Sequence, residues 1–135
     1  MRGIALLMIG ATLASCAAAP PAGRSADAER HFQKLIAGKV AGQPVSCLPT
    51  YRSNDMVVID DQTVAFRDGS RRVWVTDLGQ GCANLGSGFY ALVTRRHGGT
   101  GLCRGDIAHV ADLTSGFTVG SCVMGDFTPY VRPRG

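Results

Sequence analysis

The sequence predicts a mainly β domain: a small antiparallel sheet or barrel of about six to seven strands, with one N-terminal amphipathic helix and two disulfides. Three observations predict it. Short runs of β-branched and aromatic residues recur every ten residues or so, and glycine, 18 in 135 residues, separates them. Only one segment carries a helical period, and the cysteines beyond the N-terminal region number four.

That helix spans Ser25 to Gly38. Ser25 can accept a hydrogen bond from the first free backbone N–H groups, and Asp27 and Glu29 lie where the helix dipole favours acid. Gly38 ends it. Ala28, Phe32, Leu35 and Ile36 fall on one face, so the helix should lie on a sheet. The strands follow. Met56 to Ile59 and Thr63 to Phe66 are joined by the tight Asp60-Asp61-Gln62 connection, and Asp68-Gly69 then turns the chain into Val73-Trp74-Val75. Phe89 to Val93 makes another strand, closed by the loop from Arg95 to Gly101. Ile107 with Val110, then Phe117 to Val119 with Val123, supply the last two.

The N-terminal region reads differently. Met1-Arg2 precedes an apolar run from Gly3 to Leu13, about half the length needed to span a bilayer, which is the pattern of a cleavable signal. Leu13-Ala14-Ser15-Cys16 then resembles a bacterial lipobox, with small residues for the peptidase cleft and a thiol to take up diacylglycerol. Residues 1–15 are therefore expected to be a signal peptide, and 16–24 a lipidated cysteine and flexible tether. One β-rich domain with its N-terminal helix is expected over 25–135. Ala17 is not the aspartate associated with retention at the inner membrane, so the expected address is the outer membrane, facing the periplasm. Ala17 to Gly23, with Pro20-Pro21, suits a semi-extended spacer.

Cys47, Cys82, Cys103 and Cys122 are an even set in a chain expected to be exported, which points to two disulfides. Zinc normally takes ligands in close pairs, whereas these residues lie tens of positions apart, so no metal or other cofactor is expected. Three pairings exist, and chain entropy, at about 3–4.5 kcal/mol per bridge, does not choose among them. The strand layout favours Cys47 with Cys82 and Cys103 with Cys122.

With the cysteines and strands laid out, the chain resembles an uncharacterised family of small proteobacterial lipoproteins and exported proteins. The resemblance rests on Cys47-Leu48, Ile59 to Phe66, Trp74-Val75, Cys82 to Leu85, Leu102-Cys103-Arg104-Gly105-Asp106-Ile107, Gly120-Ser121-Cys122 and Gly125 to Pro129. It covers about Cys47 to Tyr130. Trp74 departs from it, standing where a tyrosine-like aromatic is expected. The resemblance implies an architecture and no mechanism.

Candidate sites are few. For Arg104 and Asp106 a bent strand entry with a local Arg–Asp contact is the better reading, although Asp106 and Asp126 could still flank a groove with Arg104. Asp60 and Asp61 suit a turn, where aspartate accepts a bond from the backbone two residues on. The alternative is an acid or base role for Asp60, Asp61, Asp106 or Asp126 in a small envelope enzyme. Arg71-Arg72 and Arg95-Arg96-His97 are basic hairpin ends, by default solvated loop tips, that could also meet lipid phosphates or an anionic cell-wall polymer. Removing Arg2 with the signal leaves a net charge of only about +3, and an exported protein does not meet nucleic acid. His31, His97 and His109 fall in three different elements. No nucleophile elbow, zinc-protease motif or phosphate loop is present. The function expected is a non-enzymatic binding or structural module, attached to the membrane through Cys16 and meeting another envelope protein or cell-wall polymer. Inhibition of a hydrolase through the Arg95–Gly101 loop is one form this could take.

Overall fold

The computed structural model describes residues 23–49, 55–95 and 101–135. Cys16 and residues 1–15, the expected signal peptide, lie outside them. The helix, α1, runs Ala26–Ile36, and Ser25 caps it by accepting a hydrogen bond from the Ala28 amide at 3.2 Å. Gly38 follows in the left-handed region at φ +69° and turns the chain away.

Ten strands follow: β1 Val40–Ala41, β2 Cys47–Leu48, β3 Met56–Val58, β4 Thr63–Asp68, β5 Arg72–Asp77, β6 Tyr90–Thr94, β7 Leu102–Cys103, β8 Ile107–Asp112, β9 Thr118–Val123 and β10 Phe127–Val131. They form three antiparallel sheets: β1-β10-β5-β4-β3, which we call sheet A, the pair β2-β7, and β6-β8-β9, which we call sheet C. The strands expected from the sequence are all present. The additional ones are three two-residue strands and β10.

β10 is hidden by Pro129. A proline removes one ladder donor and argues against a central strand. Here it is accommodated because β1 is so short. Gly42 N donates to Pro129 O at 2.7 Å, and pairing resumes only at Val45, whose N and O both bond Phe127. The position without an N–H thus lies opposite Gly42, just past the end of β1.

Sheet A is covered on both sides. α1 lies on one face, where Ala28 and Phe32 pack with Ile59, Ala65, Val73 and Val75. Phe32 meets Tyr130 edge-to-face with ring centres 5.9 Å apart. From the other face, Val64, Phe66, Trp74 and Phe127 enter a larger core with Leu48, Leu78, Leu85, Leu92, Leu102, Val110 and Met124. This explains why β4 reads as an unbroken apolar run and not as an alternation: successive side chains serve two different cores. The expected packing of the helix on a sheet is observed.

The cysteines do form two disulfides, but the pairing that the strand layout favours is wrong. Cys47 joins Cys103, and Cys82 joins Cys122. The reason is the two-residue pair β2-β7, which places Cys47 directly opposite Cys103. Cys82 meets β9 at a close backbone approach that only glycine permits. A Cβ on Gly81, at φ +108°, would fall 2.2 Å from Ser121 O, and one on Gly120 would fall 2.9 Å from Gly81 O.

The two bridges differ in exposure. Cys82 and Cys122 are buried in the larger core, whereas Cys47 is on the surface. Each closes a long loop, so each should stabilise the fold by about 4 kcal/mol on chain-entropy grounds. Mild reductant with alkylation and peptide mapping should therefore label Cys47 and Cys103 first. Cys82 and Cys122 should stay unlabelled until the domain unfolds. Simultaneous labelling of all four would contradict the burial described.

Candidate functional site

A cleft of about 930 Å³ lies between the start of α1 and the β3–β4 turn. Arg24, Asp27, His31, Asp60, Asp61 and Asp77 line it. Two of the carboxylates considered as candidate acids or bases are therefore in a concavity, but both are committed to holding the fold.

Asp60 accepts from the Gln62 amide at 2.8 Å, the expected turn bond, and pairs with Arg24 at 3.2 Å. Asp61 departs from expectation. Its two oxygens accept from the backbone amides of Asn84 and Gly86, at 3.0 and 2.8 Å, and so fasten the 3-10 turn Leu85–Ser87 to the β3–β4 turn. The contact is close: a Cβ on Gly86 would meet the Asp60 Cα at 3.1 Å. Its sequence signal is only a glycine following Asn84-Leu85, and the separation of about 25 residues hides it.

Arg24 is the residue that sequence reasoning missed, since it falls at the end of the expected tether. It contacts Glu29, Asp60 and the Thr63 hydroxyl, and its guanidinium sits 4.3 Å from the centre of the Phe32 ring. The Gln33 side chain, and then Arg24, hold the Glu29 carboxyl below its ordinary pKa. Arg24 thereby fixes the point at which the chain leaves the domain, beside the β3–β4 turn.

The Arg104-Gly105-Asp106 segment is a turn between β7 and β8, with Gly105 at φ +91°. Asp106 accepts from the Cys103 amide at 2.7 Å and shapes that turn. Arg104 does not pair with Asp106. It reaches Asp126 at 3.2 Å, an exposed ion pair of small energetic weight. The expected local contact is thus a contact between two loops, and the three residues do not enclose a groove around free polar groups.

The basic ends separate too. Arg71 donates to the carbonyls of Arg132 and Pro133, and Arg72 pairs with Asp68 and lies 5.6 Å from the centre of the Trp74 ring. Neither is a free tip. Arg95 is exposed at the end of β6, while Arg96, His97 and most of the Arg95–Gly101 loop fall outside the described residues. His31 is exposed at the cleft, and His109 is half-buried on sheet C. Among the described residues no group of three or more His, Cys, Asp or Glu could hold a metal ion. No described helix is long and apolar enough to cross a membrane.

The structure instead reveals an apolar surface. Sheet C buries Leu92, Ala108, Val110 and Cys122 against the core. Val93, Ile107, Val119 and Val123 are exposed, and Phe89, Leu113 and Phe117 stand exposed at one end of the sheet. In the sequence Phe89, Val93, Ile107, Phe117, Val119 and Val123 serve as strand signals that carry no indication of which face they take. In β8, Ile107 and Ala111 flank His109 on the outer face, while Ala108 and Val110 turn to the core.

No family model, curated protein or solved structure matches this chain. The family resemblance therefore rests on the quoted residues alone.

Asp61→Ala should lower stability by about 1–2 kcal/mol, the scale of charge-assisted bonds at a partly solvated site. Amide exchange should quicken at Asn84 and Gly86. Unchanged exchange there would remove Asp61 from this role. At the β8–β9 turn, the Ser115 and then the Thr114 amide hold the Asp112 carboxyl below its usual 3.8. A depressed pKa contributes stability above the ordinary value and loses it as pH falls through the lowered one. An NMR titration should therefore place Asp112 below 3.8, with the Thr114 and Ser115 amides losing protection over the same interval. An Asp112 midpoint at or above 3.8 would refute this.

Proposed function

We propose that this chain is an exported lipoprotein, held by lipid on Cys16 at the outer membrane and facing the periplasm. Its β domain serves as a non-enzymatic binding module. The observation that carries the binding reading is the outer face of sheet C, where Val93, Ile107, Val119 and Val123 stay exposed on strands whose opposite side packs Leu92, Ala108, Val110 and Cys122 into the core. On this face Ile107 lies beside Val123 and Val93 neighbours His109, and an exposed apolar cluster with polar residues within it suits contact with a partner.

Three further features support the reading. The signal-like N-terminus and lipobox supply export and attachment. Two disulfides suit an oxidising compartment. The cleft's carboxylates at 60 and 61 are engaged by an arginine and by backbone amides, an arrangement that builds structure. The partner is another envelope component, a protein or a cell-wall polymer. The family membership suggested by the Leu-Cys-Arg-Gly-Asp segment and the four-cysteine layout belongs to the same proposal.

Photo-crosslinking in intact cells tests it. A photoreactive residue at Val93 or Val123 should give one saturable adduct, absent when the probe sits at Arg67 in sheet A. Cys16→Ser should release the protein from the membrane fraction. Equal or no crosslinking at both faces would eliminate sheet C as the contact surface, and membrane retention of Cys16→Ser would eliminate the lipid anchor.

A further inference from the structure

We propose that the end of sheet C formed by Phe89, Leu113 and Phe117 rests in the surface of the bilayer that holds the chain, a second contact beyond the lipid itself. The proposal rests on the lipid-anchor reading above and concerns a different part of the molecule from the crosslinking face.

The three side chains are the most exposed large apolar groups of sheet C, at 72%, 64% and 74% of their full accessibility. They are brought together by the strand ends. Leu113 N donates to Phe89 O at 3.0 Å, and Asp112 N donates to Phe117 O at 2.9 Å, so two adjacent connections present them side by side. None belongs to either core. The segments around them, 84–90 and 112–119, contain no lysine or arginine. An apolar knob without cations engages the boundary between headgroups and acyl chains by burying surface, not by attraction to anionic lipid.

The position of the tether selects a bilayer over other occupants. Arg24, bound to Asp60, marks where the chain enters the domain. Asp60 touches Gly86, and Phe89 is three residues further on. Summing the reach of these links puts Phe89 within about 25 Å of Arg24 whatever their direction. The chain from Cys16 to Arg24 can extend to about 29 Å. Lipid at Cys16 and the apolar knob can therefore occupy one membrane surface at the same time. Tethering then makes the second contact intramolecular, so a weak apolar contact suffices to populate the docked state.

The test uses residues 16–135 coupled through Cys16, the one cysteine of that stretch outside the disulfides, to a maleimide-bearing phospholipid in phosphatidylcholine vesicles. Phe89→Trp, Phe117→Trp and the control Val40→Trp are compared in vesicles whose acyl chains carry bromine. Val40 is exposed at the opposite end of sheet A, and the native Trp74 is buried and gives a constant background. The Phe89→Trp and Phe117→Trp proteins should shift to shorter wavelength and be quenched severalfold more than Val40→Trp, with little change when salt is raised. Equal quenching at all three positions, or none at 89 and 117, overturns the proposal. A shift without bromine quenching that grows with protein density would identify a second copy as the occupant and also overturn it. Because the coupling is chemical, the outcome is independent of whether cells lipidate Cys16. The mass of the Cys16 peptide from the membrane fraction decides that question separately.

Discussion

The two-sided burial of sheet A is the constraint on which the rest of the structure depends. A sheet of five strands with one face open would leave the helix as its only cover. Here the β4-β5 hairpin contributes side chains alternately to the helix side and to the larger core, so each strand needs both neighbours in place. Phe127 on β10 reinforces this. It is fully buried and lies 6.1 Å from Phe66, ring centre to ring centre, so a strand near the end of the sequence completes a core begun at β4. Many contacts therefore join residues distant in sequence, which ties local failures to global ones.

Sheet C depends on that arrangement through a few short-range devices. Asp61 fastens the Leu85 turn, and the Cys82–Cys122 bridge locks β9 at the Gly81 approach. Gly125 N donates to Asp77 O at 2.7 Å, joining the end of β9 to the end of β5. With one face fixed in this way, the other is free to carry side chains that folding does not need. Apolar side chains left in that position raise the cost of remaining unbound, and the proposed contacts follow from it.

The parts of this fold legible in the sequence were those set by local physics. Ser25 and Gly38 bound a helix because capping acts over a few residues, and the Asp-Gly pair at 68–69 marks a hairpin for the same reason. The disulfide pairing was not legible, because it depends on β2 and β7, which at two residues have no period to detect. β10 was masked by a proline that is tolerated opposite Gly42, just past the end of β1. The candidate site was read least well. Asp61, Arg24 and Arg104 find partners 22 to 39 residues away, and an exposed valine on a strand has the same composition signal as a buried one.

Sheet A also gives the molecule a polarity. Arg24 enters beside Thr63, while Arg71 holds the carbonyls of Arg132 and Pro133 at the opposite end of the same strands. About five residue pairs, or roughly 17 Å, separate the two ends. The domain is thus threaded like a spacer between its inbound and outbound chain. Whatever is joined after Arg132 is carried at the end of the strands remote from Arg24, which makes that position the natural place to display a reporter clear of the cleft.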